Sequence, residues 1–129
     1  IIANLLVPDL VDAIKASRAY KFFICNVATQ RGETDGYSCE DHLKNIEKHT
    51  GARLFDLVVA NNRFDGQLPD GVDWVQVKQG DRHYQYYQAD LVDTENPWRH
   101  DSAKIARTGL DLYMERTGPL SGREPISSI

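Results

Sequence analysis

Phe22-Phe23-Ile24-Cys25-Asn26-Val27-Ala28 and Leu54-Phe55-Asp56-Leu57-Val58-Val59-Ala60 decide the fold. Each run is almost continuously apolar and is flanked by polar residues. A strand covered on both faces has this pattern, whereas a strand with one wet face alternates. Between the runs lie a polar loop, Thr29 to Tyr37, and then a helix. Ser38 is its N-cap, with Asp41 three residues on. Leu43 and Ile46 mark one face, Lys44, Lys48 and His49 suit the C-terminal half, and Gly51 closes it. Strand, loop, helix and strand make a βαβ unit with a right-handed crossover. The sequence therefore predicts an α/β fold with a mostly parallel sheet flanked by helices.

Upstream, Pro8-Asp9 followed by Leu10, Val11 and Ile14 predicts an amphipathic helix with proline in its first turn, running to about Arg18. Downstream, Asp65-Gly66 and Pro69-Asp70-Gly71 are turn signals, and Trp74, Val75 and Val77 form a shorter, alternating, peripheral strand. Tyr86 to Val92 is a further strand, with the aromatics of Tyr84-Gln85-Tyr86-Tyr87-Gln88 serving as cross-strand packing. Asp101 or Ser102 caps a last helix carrying Ile105, Ala106, Leu110, Tyr113 and Met114, which Gly109 slightly weakens. Without internal repeats or a linker, residues 1–117 form one α/β unit, and the Gly/Pro/Ser-rich residues 118–129 are expected to be a flexible tail.

The chain has 129 residues and 14.6 kDa, enough for one modest core and too short for two domains. With 41% hydrophobic and 26% charged residues and a mean hydropathy of −0.49, it has the composition of a globular chain with a packed core. Its net charge of −4 argues against a polyanion-binding surface, because duplex affinity rests on phosphate neutralisation by Lys and Arg, so nucleic acid is not an expected partner. A single phosphorylated small molecule needs only one positive pocket and remains compatible. Cys25 and Cys39 have neither C-x-x-C nor zinc spacing, which suits a reduced, cytoplasmic chain. The opening Ile1 to Val7 lacks a basic n-region and is too short for a signal peptide or membrane span. With Met114 as the only methionine, the chain is expected to be part of a longer polypeptide.

Ligands of open α/β sheets bind at the carboxyl ends of the strands, where the next helix presents its N-terminus. The segment Asn26-Val-Ala-Thr-Gln-Arg-Gly-Glu-Thr-Asp-Gly-Tyr-Ser38 occupies that place. Gly32 and Gly36 suit left-handed backbone or close ligand approach, and Asn26, Thr29, Gln30 and Thr34 suit a sugar or base; a plain turn-rich surface loop has the same composition. Glu33 and Asp35 repel a bare phosphate unless a divalent cation such as magnesium lies between them. The alternative is that they make local turn bonds or cap the helix at Ser38, and no metal is implied. Asn61-Asn62-Arg63 follows the second run and either walls the same edge or ends the strand. Trp98-Arg99-His100-Asp101 precedes the last helix. There Arg99 is the preferred cation for a diphosphate, unless His100 and Asp101 are only a capping pair and Trp98 is core. His42, His49 and His83 have no ligand spacing and are expected at the surface or at helix ends. There is no G-x-S-x-G, H-E-x-x-H or P-loop, so no catalytic residue is named.

Three stretches carry a resemblance: Ile2-Ala-Asn-Leu-Leu-Val-Pro8 leading into a helix, Cys25-Asn-Val-Ala-Thr-Gln-Arg-Gly-Glu-Thr-Asp-Gly-Tyr37, and Arg99-His-Asp101. Together they resemble the gluconeogenesis-factor (YvcK) family, which is related to the 2-phospho-L-lactate transferase (CofD) family, over about Ile1 to Tyr113. The resemblance implies a Rossmann-like fold of which this chain is the C-terminal half. It implies a UDP-sugar ligand in the gluconeogenesis-factor branch, linked to carbon metabolism or cell-envelope control, and a guanosine-diphosphate-type donor in the transferase branch. It places Asn26, Thr29, Gln30, Gly32, Glu33, Thr34, Asp35 and Gly36 on the central motif, and Arg99, His100 and Asp101 on the C-terminal one. The family's glycine-rich phosphate turn belongs to an N-terminal half, the expected partner of this chain, whose surface it would cover. Arg31 stands where the family has proline, Arg63 to Asp81 does not follow the family segment, and the deazaflavin-acceptor elements of the transferases are not recognisable. Three functions stay open: a nucleotide-sugar-binding regulator, a transferase-like enzyme holding magnesium at Asp35 or Glu33, and an interaction module that associates through a sheet edge, including with a second copy.

Overall fold

A parallel strand loses stability wherever either face meets water, so the central strand of a parallel sheet must find apolar cover on both sides. In the computed structural model, which describes residues 5–78 and 83–117, that strand is Leu57–Asn61, buried at all five positions. Residues 1–4 and 79–82 and the expected tail 118–129 lie outside the described residues.

The elements among the described residues are α1 (Pro8–Ala16), β1 (Phe22–Ile24), α2 (Cys39–Thr50), β2 (Leu57–Asn61), β3 (Tyr86–Ala89) and α3 (Ser102–Thr117). The strands pair in parallel in the order β1-β2-β3, with Phe23 opposite Val58 and Val59 opposite Tyr87. Alternate residues of β2 feed two cores. Val58 and Ala60 join Val11 of α1 and Leu43 and Ile46 of α2, whereas Leu57 and Val59 join Leu91, Val92 and Leu112 of α3. Helices thus cover both faces, and the fold is Rossmann-like α/β as expected.

The helix after the loop forms as its residues predict. Ser38 Oγ accepts from the Asp41 N–H (3.2 Å), Asp41 Oδ2 accepts from the Ser38 N–H (2.9 Å), and Gly51 closes α2 in left-handed geometry (φ 69°). Other boundaries differ from the expected ones. The ladder of β1 stops at Ile24, and the chain runs on through Cys25, whose N–H donates to the Val59 carbonyl (2.9 Å), to an antiparallel bridge between Ala28 and Trp74. Trp74–Val77 is therefore an isolated bridge and not a strand, because its partner is the short exit of β1 leaving the sheet. The run Tyr86 to Val92 stops pairing at Ala89; Val92 bridges His100 instead, and the Asp101 N–H donates to the Leu91 carbonyl (2.8 Å), folding residues 91–101 back on themselves. Helix α1 ends at Ala16 rather than near Arg18, with Ser17 already extended.

In α3, Leu112 is buried with Ile105 packed one heptad before it, which fixes the inward face. Leu110, Tyr113 and Met114 consequently point outward, 61%, 50% and 43% exposed. Tyr84 is buried and packs edge-on to Tyr86, with the Arg53 guanidinium 4.4 Å from its ring centre, so this aromatic run is structural.

Asn61 ties the ends of two strands together. Only 1% exposed, it accepts at Oδ1 from the Arg63 and Leu91 N–H groups (3.2 Å each) and donates from Nδ2 to the Arg63 carbonyl (2.7 Å). Asn61→Ala leaves these groups without partners and is expected to cost about 1–3 kcal/mol in urea unfolding. At the start of α2, the Ser38 backbone bond, followed by its hydroxyl and by Lys78 and Lys44, holds the Asp41 carboxyl below its ordinary value. A carboxyl depressed by folding stabilises fully above its unfolded pKa, and that stability is lost as pH falls through the folded value. Asp41→Asn should therefore flatten the loss of stability below about pH 4, the unperturbed carboxylate range. Ser38→Ala should cost about 1 kcal/mol at neutral pH, read by the same unfolding assay.

Candidate ligand-binding site

Residues leaving β1 and the fold-back after β3 meet at the carboxyl ends of the sheet. Between them lies a cleft of about 440 Å³. Asn26, Val27, Ala28, Thr29 and Gln30 form one wall, Trp98, Arg99 and His100 the other, and Pro69 and Val72 complete the lining. One bond joins the walls across 75 positions of sequence: His100 Nε2 lies 2.9 Å from the Cys25 carbonyl oxygen. A carbonyl only accepts, so Nε2 carries a proton, and in the neutral ring Nδ1 is then an acceptor.

The first wall is held from beneath. Thr29 is 5% exposed, its N–H donates to the Asp73 carbonyl (2.9 Å), and its Oγ1 accepts from the Asp73 N–H (3.0 Å). Its hydroxyl is thus engaged in anchoring the loop. The chain then closes a tight turn on itself. Thr34 Oγ1 accepts from the Gln30 N–H (2.7 Å), the Thr34 N–H returns a bond to the Gln30 carbonyl (2.9 Å), and Asp35 Oδ2 accepts from the Gly32 N–H (2.9 Å). Gly32 (φ 81°) and Gly36 (φ 73°) supply the left-handed backbone that the turn requires. Arg31 reaches from this turn to the neighbouring one: a Cβ at Gly71 would lie 2.7 Å from Arg31 Nη2, so the guanidinium lies directly against the backbone of the Pro69-Asp70-Gly71 turn.

Of the residues singled out in the sequence, Asn26, Thr29, Gln30, Arg99 and His100 come together in this cleft. Gly32, Glu33, Thr34, Asp35 and Gly36 do not line it; they build the turn that shapes its rim. The Asp35 carboxylate is engaged with its own loop, which is the local turn bond weighed against a cation, and the described residues contain no cluster of three or more His, Cys, Asp or Glu arranged to hold a metal. Asn61 ends its strand and does not face the cleft. Arg63 is paired with Asp65 (2.9 Å) and Asp90 (3.1 Å). Lys104 binds the same Asp90 (2.9 Å), and although burial pushes that carboxyl up, the bonds from Lys104 and Arg63 prevail and hold it low. Asp101 caps α3, accepting at Oδ1 from the N–H groups of Ala103 (2.9 Å) and Lys104 (3.1 Å).

Two participants were not foreseen. Trp98, set down as core in one alternative, is 40% exposed and lines the cleft; its place beside Arg99 was the available signal. His42, expected at the surface or at a helix end, lies near the start of α2 and is only 9% exposed. It lines a second groove of about 380 Å³ on the other side of Asn26 and Gln30, which border both cavities. The first cleft contains Arg99 and no acidic side chain among its lining, so it favours an anionic group, with Asn26, Gln30 and His100 Nδ1 available for hydroxyl or N–H groups.

A family model described as 2-phospho-L-lactate transferase CofD matches residues 1–117. The gluconeogenesis factor of Listeria monocytogenes is 46% identical over 124 residues, covering 91% of this chain and 38% of that protein. The gluconeogenesis factor of Bacillus subtilis is 30% identical over 136 residues, covering 89% of this chain and 39% of that protein. A crystal structure of a UPF0052-family protein from Bacillus halodurans superposes with a TM-score of 0.71 at 32% identity, over 85% of this chain and 38% of that one. The chain thus spans less than two-fifths of the length of these relatives. With the matching model extending over every element of the fold and both walls of the cleft, the chain belongs to the CofD family, alongside the gluconeogenesis factors.

Proposed function

We propose that the chain contributes one side of a binding site for a nucleoside-diphosphate sugar, of the UDP-sugar class, in a regulatory protein of the gluconeogenesis-factor type. The observation that carries this is the pairing of one guanidinium, Arg99, with two amides and an imidazole acceptor around an acid-free cleft at the carboxyl ends of parallel strands. Arg99 binds the diphosphate by charge-assisted hydrogen bonds, Trp98 offers a face to a ring, and Asn26, Gln30 and His100 Nδ1 read hydroxyl and N–H groups. Binding rather than transfer is favoured because the carboxylate best placed to hold magnesium, Asp35, is engaged with the Gly32 N–H. The guanosine-type transferase is the second reading, supported by the description of the matching family.

The reading is tested by calorimetric titration of a chimera in which this chain replaces the matching segment of the Listeria monocytogenes gluconeogenesis factor, with UDP-N-acetylglucosamine and GDP, each with and without magnesium. Metal-independent UDP-sugar binding is expected, and Arg99→Ala should weaken it by about 1.5–3 kcal/mol with the fold intact. Magnesium-dependent GDP binding would establish the transferase instead, and unchanged affinity in Arg99→Ala would remove Arg99 from the site.

A further inference from the structure

After β2 the chain makes a loop, residues 64–74, whose two ends meet. Phe64 and Trp74 pack edge-on with ring centres 5.7 Å apart, and the tip turns at Pro69, whose carbonyl accepts from the Val72 N–H (3.2 Å). Behind the tip, Leu68 and Val72 pack against the core cluster that contains Leu112 of α3. Two glycines mark where this loop meets its surroundings, and each meets a different wall of the cleft. A Cβ at Gly66 would lie 2.6 Å from Pro97 Cβ and 2.7 Å from Pro97 Cγ, while a Cβ at Gly71 would lie 2.7 Å from Arg31 Nη2 and 2.8 Å from Arg31 Nε. Carbon atoms in contact settle at about 3.5–4.0 Å, so against the rigid proline ring only a hydrogen fits at Gly66.

Both anchor points are themselves held. Pro97 lies in the fold-back that Asp93 pins, its Oδ1 accepting from the N–H groups of Glu95 (2.9 Å) and Asn96 (3.3 Å), and Arg31 belongs to the turn closed by Thr34 and Asp35. The far end of the loop is fastened by the two bonds between Thr29 and Asp73. The loop is therefore a strap fixed between the two walls. Its residues Pro69 and Val72 line the cleft, as does Trp98 next to Pro97, and these three side chains are apolar. Of the parts of a nucleoside-diphosphate sugar, the diphosphate is charged and the sugar is rimmed with hydroxyls; the base offers flat faces that stack on apolar and aromatic surface. We propose that the strap seats the base of the ligand against Pro69, Val72 and the Trp98 ring, and that Gly66 and Arg31 are the positioning residues that set its place. The inference rests on the nucleotide-sugar reading and adds to it which end of the ligand the strap holds, and which residues outside the lining fix it there.

The test uses the chimera with the Listeria monocytogenes gluconeogenesis factor, unsubstituted and carrying Gly66→Ala or Arg31→Ala; the second substitution introduces no clash and serves if the first does not fold. Without ligand, the Asp73 amide, which donates to Thr29 Oγ1, should exchange about ten-fold faster in both variants, while the Val58 amide of β2 keeps its rate. In calorimetry both substitutions should weaken UDP binding about ten-fold, the scale of one base–aromatic stack, and leave N-acetylglucosamine 1-phosphate binding unchanged. Unchanged Asp73 exchange in Arg31→Ala, unchanged UDP affinity, or equal losses for UDP and the sugar phosphate would each overturn the proposal. An unsubstituted chimera that binds no UDP-N-acetylglucosamine would overturn the nucleotide reading and the base seat with it. Binding by that chimera with both variants unaffected would overturn the strap proposal alone.

Discussion

The structure depends on the burial of β2. Five consecutive residues without a solvated face can be tolerated only if helices lie on both sides and strands on both edges, and the chain meets each demand in turn. Val58 and Ala60 require α1 and α2, while Leu57 and Val59 require α3. Asn61, the last residue of the strand, uses its whole amide to stop β2 and hold the backbone after β3 beside it. Because all three strands run the same way, their exits emerge at one edge, and the cleft is a consequence of that alignment.

What turns adjacent exits into a site is a small set of bonds that engage functional-looking groups in positioning. Thr29 Oγ1 accepts from the Asp73 N–H, Thr34 Oγ1 and Asp35 Oδ2 accept from N–H groups of the turn, and His100 donates from Nε2 to the Cys25 carbonyl. Arg99, whose charge also helps hold the Asp93 carboxyl low, and the amides of Asn26 and Gln30 line the cleft beside His100. The polar loop therefore divides into residues that shape the cleft and residues that face it, and the division follows hydrogen-bond satisfaction.

Most of the fold was legible in the sequence because its signals are local. Two unbroken apolar runs and a Ser38–Asp41 capping box closed by Gly51 specify a βαβ unit without knowledge of the rest of the chain. The failures are where the outcome depends on a partner far away. Trp74–Val77 has a strand's alternation, yet its neighbour is the brief exit of β1 and pairing cannot extend. Which apolar residues of α3 turn inward is likewise decided by distant partners, which select Ile105 and Leu112 over Leu110, Tyr113 and Met114. In the site, both walls were legible by position, since each follows a strand or precedes a helix. Which side chains face inward was not: Asn61 and Asp35 are of the right type but are satisfied by backbone that no spacing rule reveals, and the burial of His42 follows from Tyr37 edge-on against its ring at 5.2 Å.

On this account the two walls joined by His100 and the Cys25 carbonyl bind ligand as one site. Amide chemical shifts of this chain, recorded while UDP-N-acetylglucosamine is titrated into the chimera with the Listeria monocytogenes gluconeogenesis factor, read out both walls at once. Joint, saturable movement of the Gln30, Arg99 and His100 amides at one common dissociation constant is the predicted result. Saturable binding that leaves those three amides still while shifting others would contradict it.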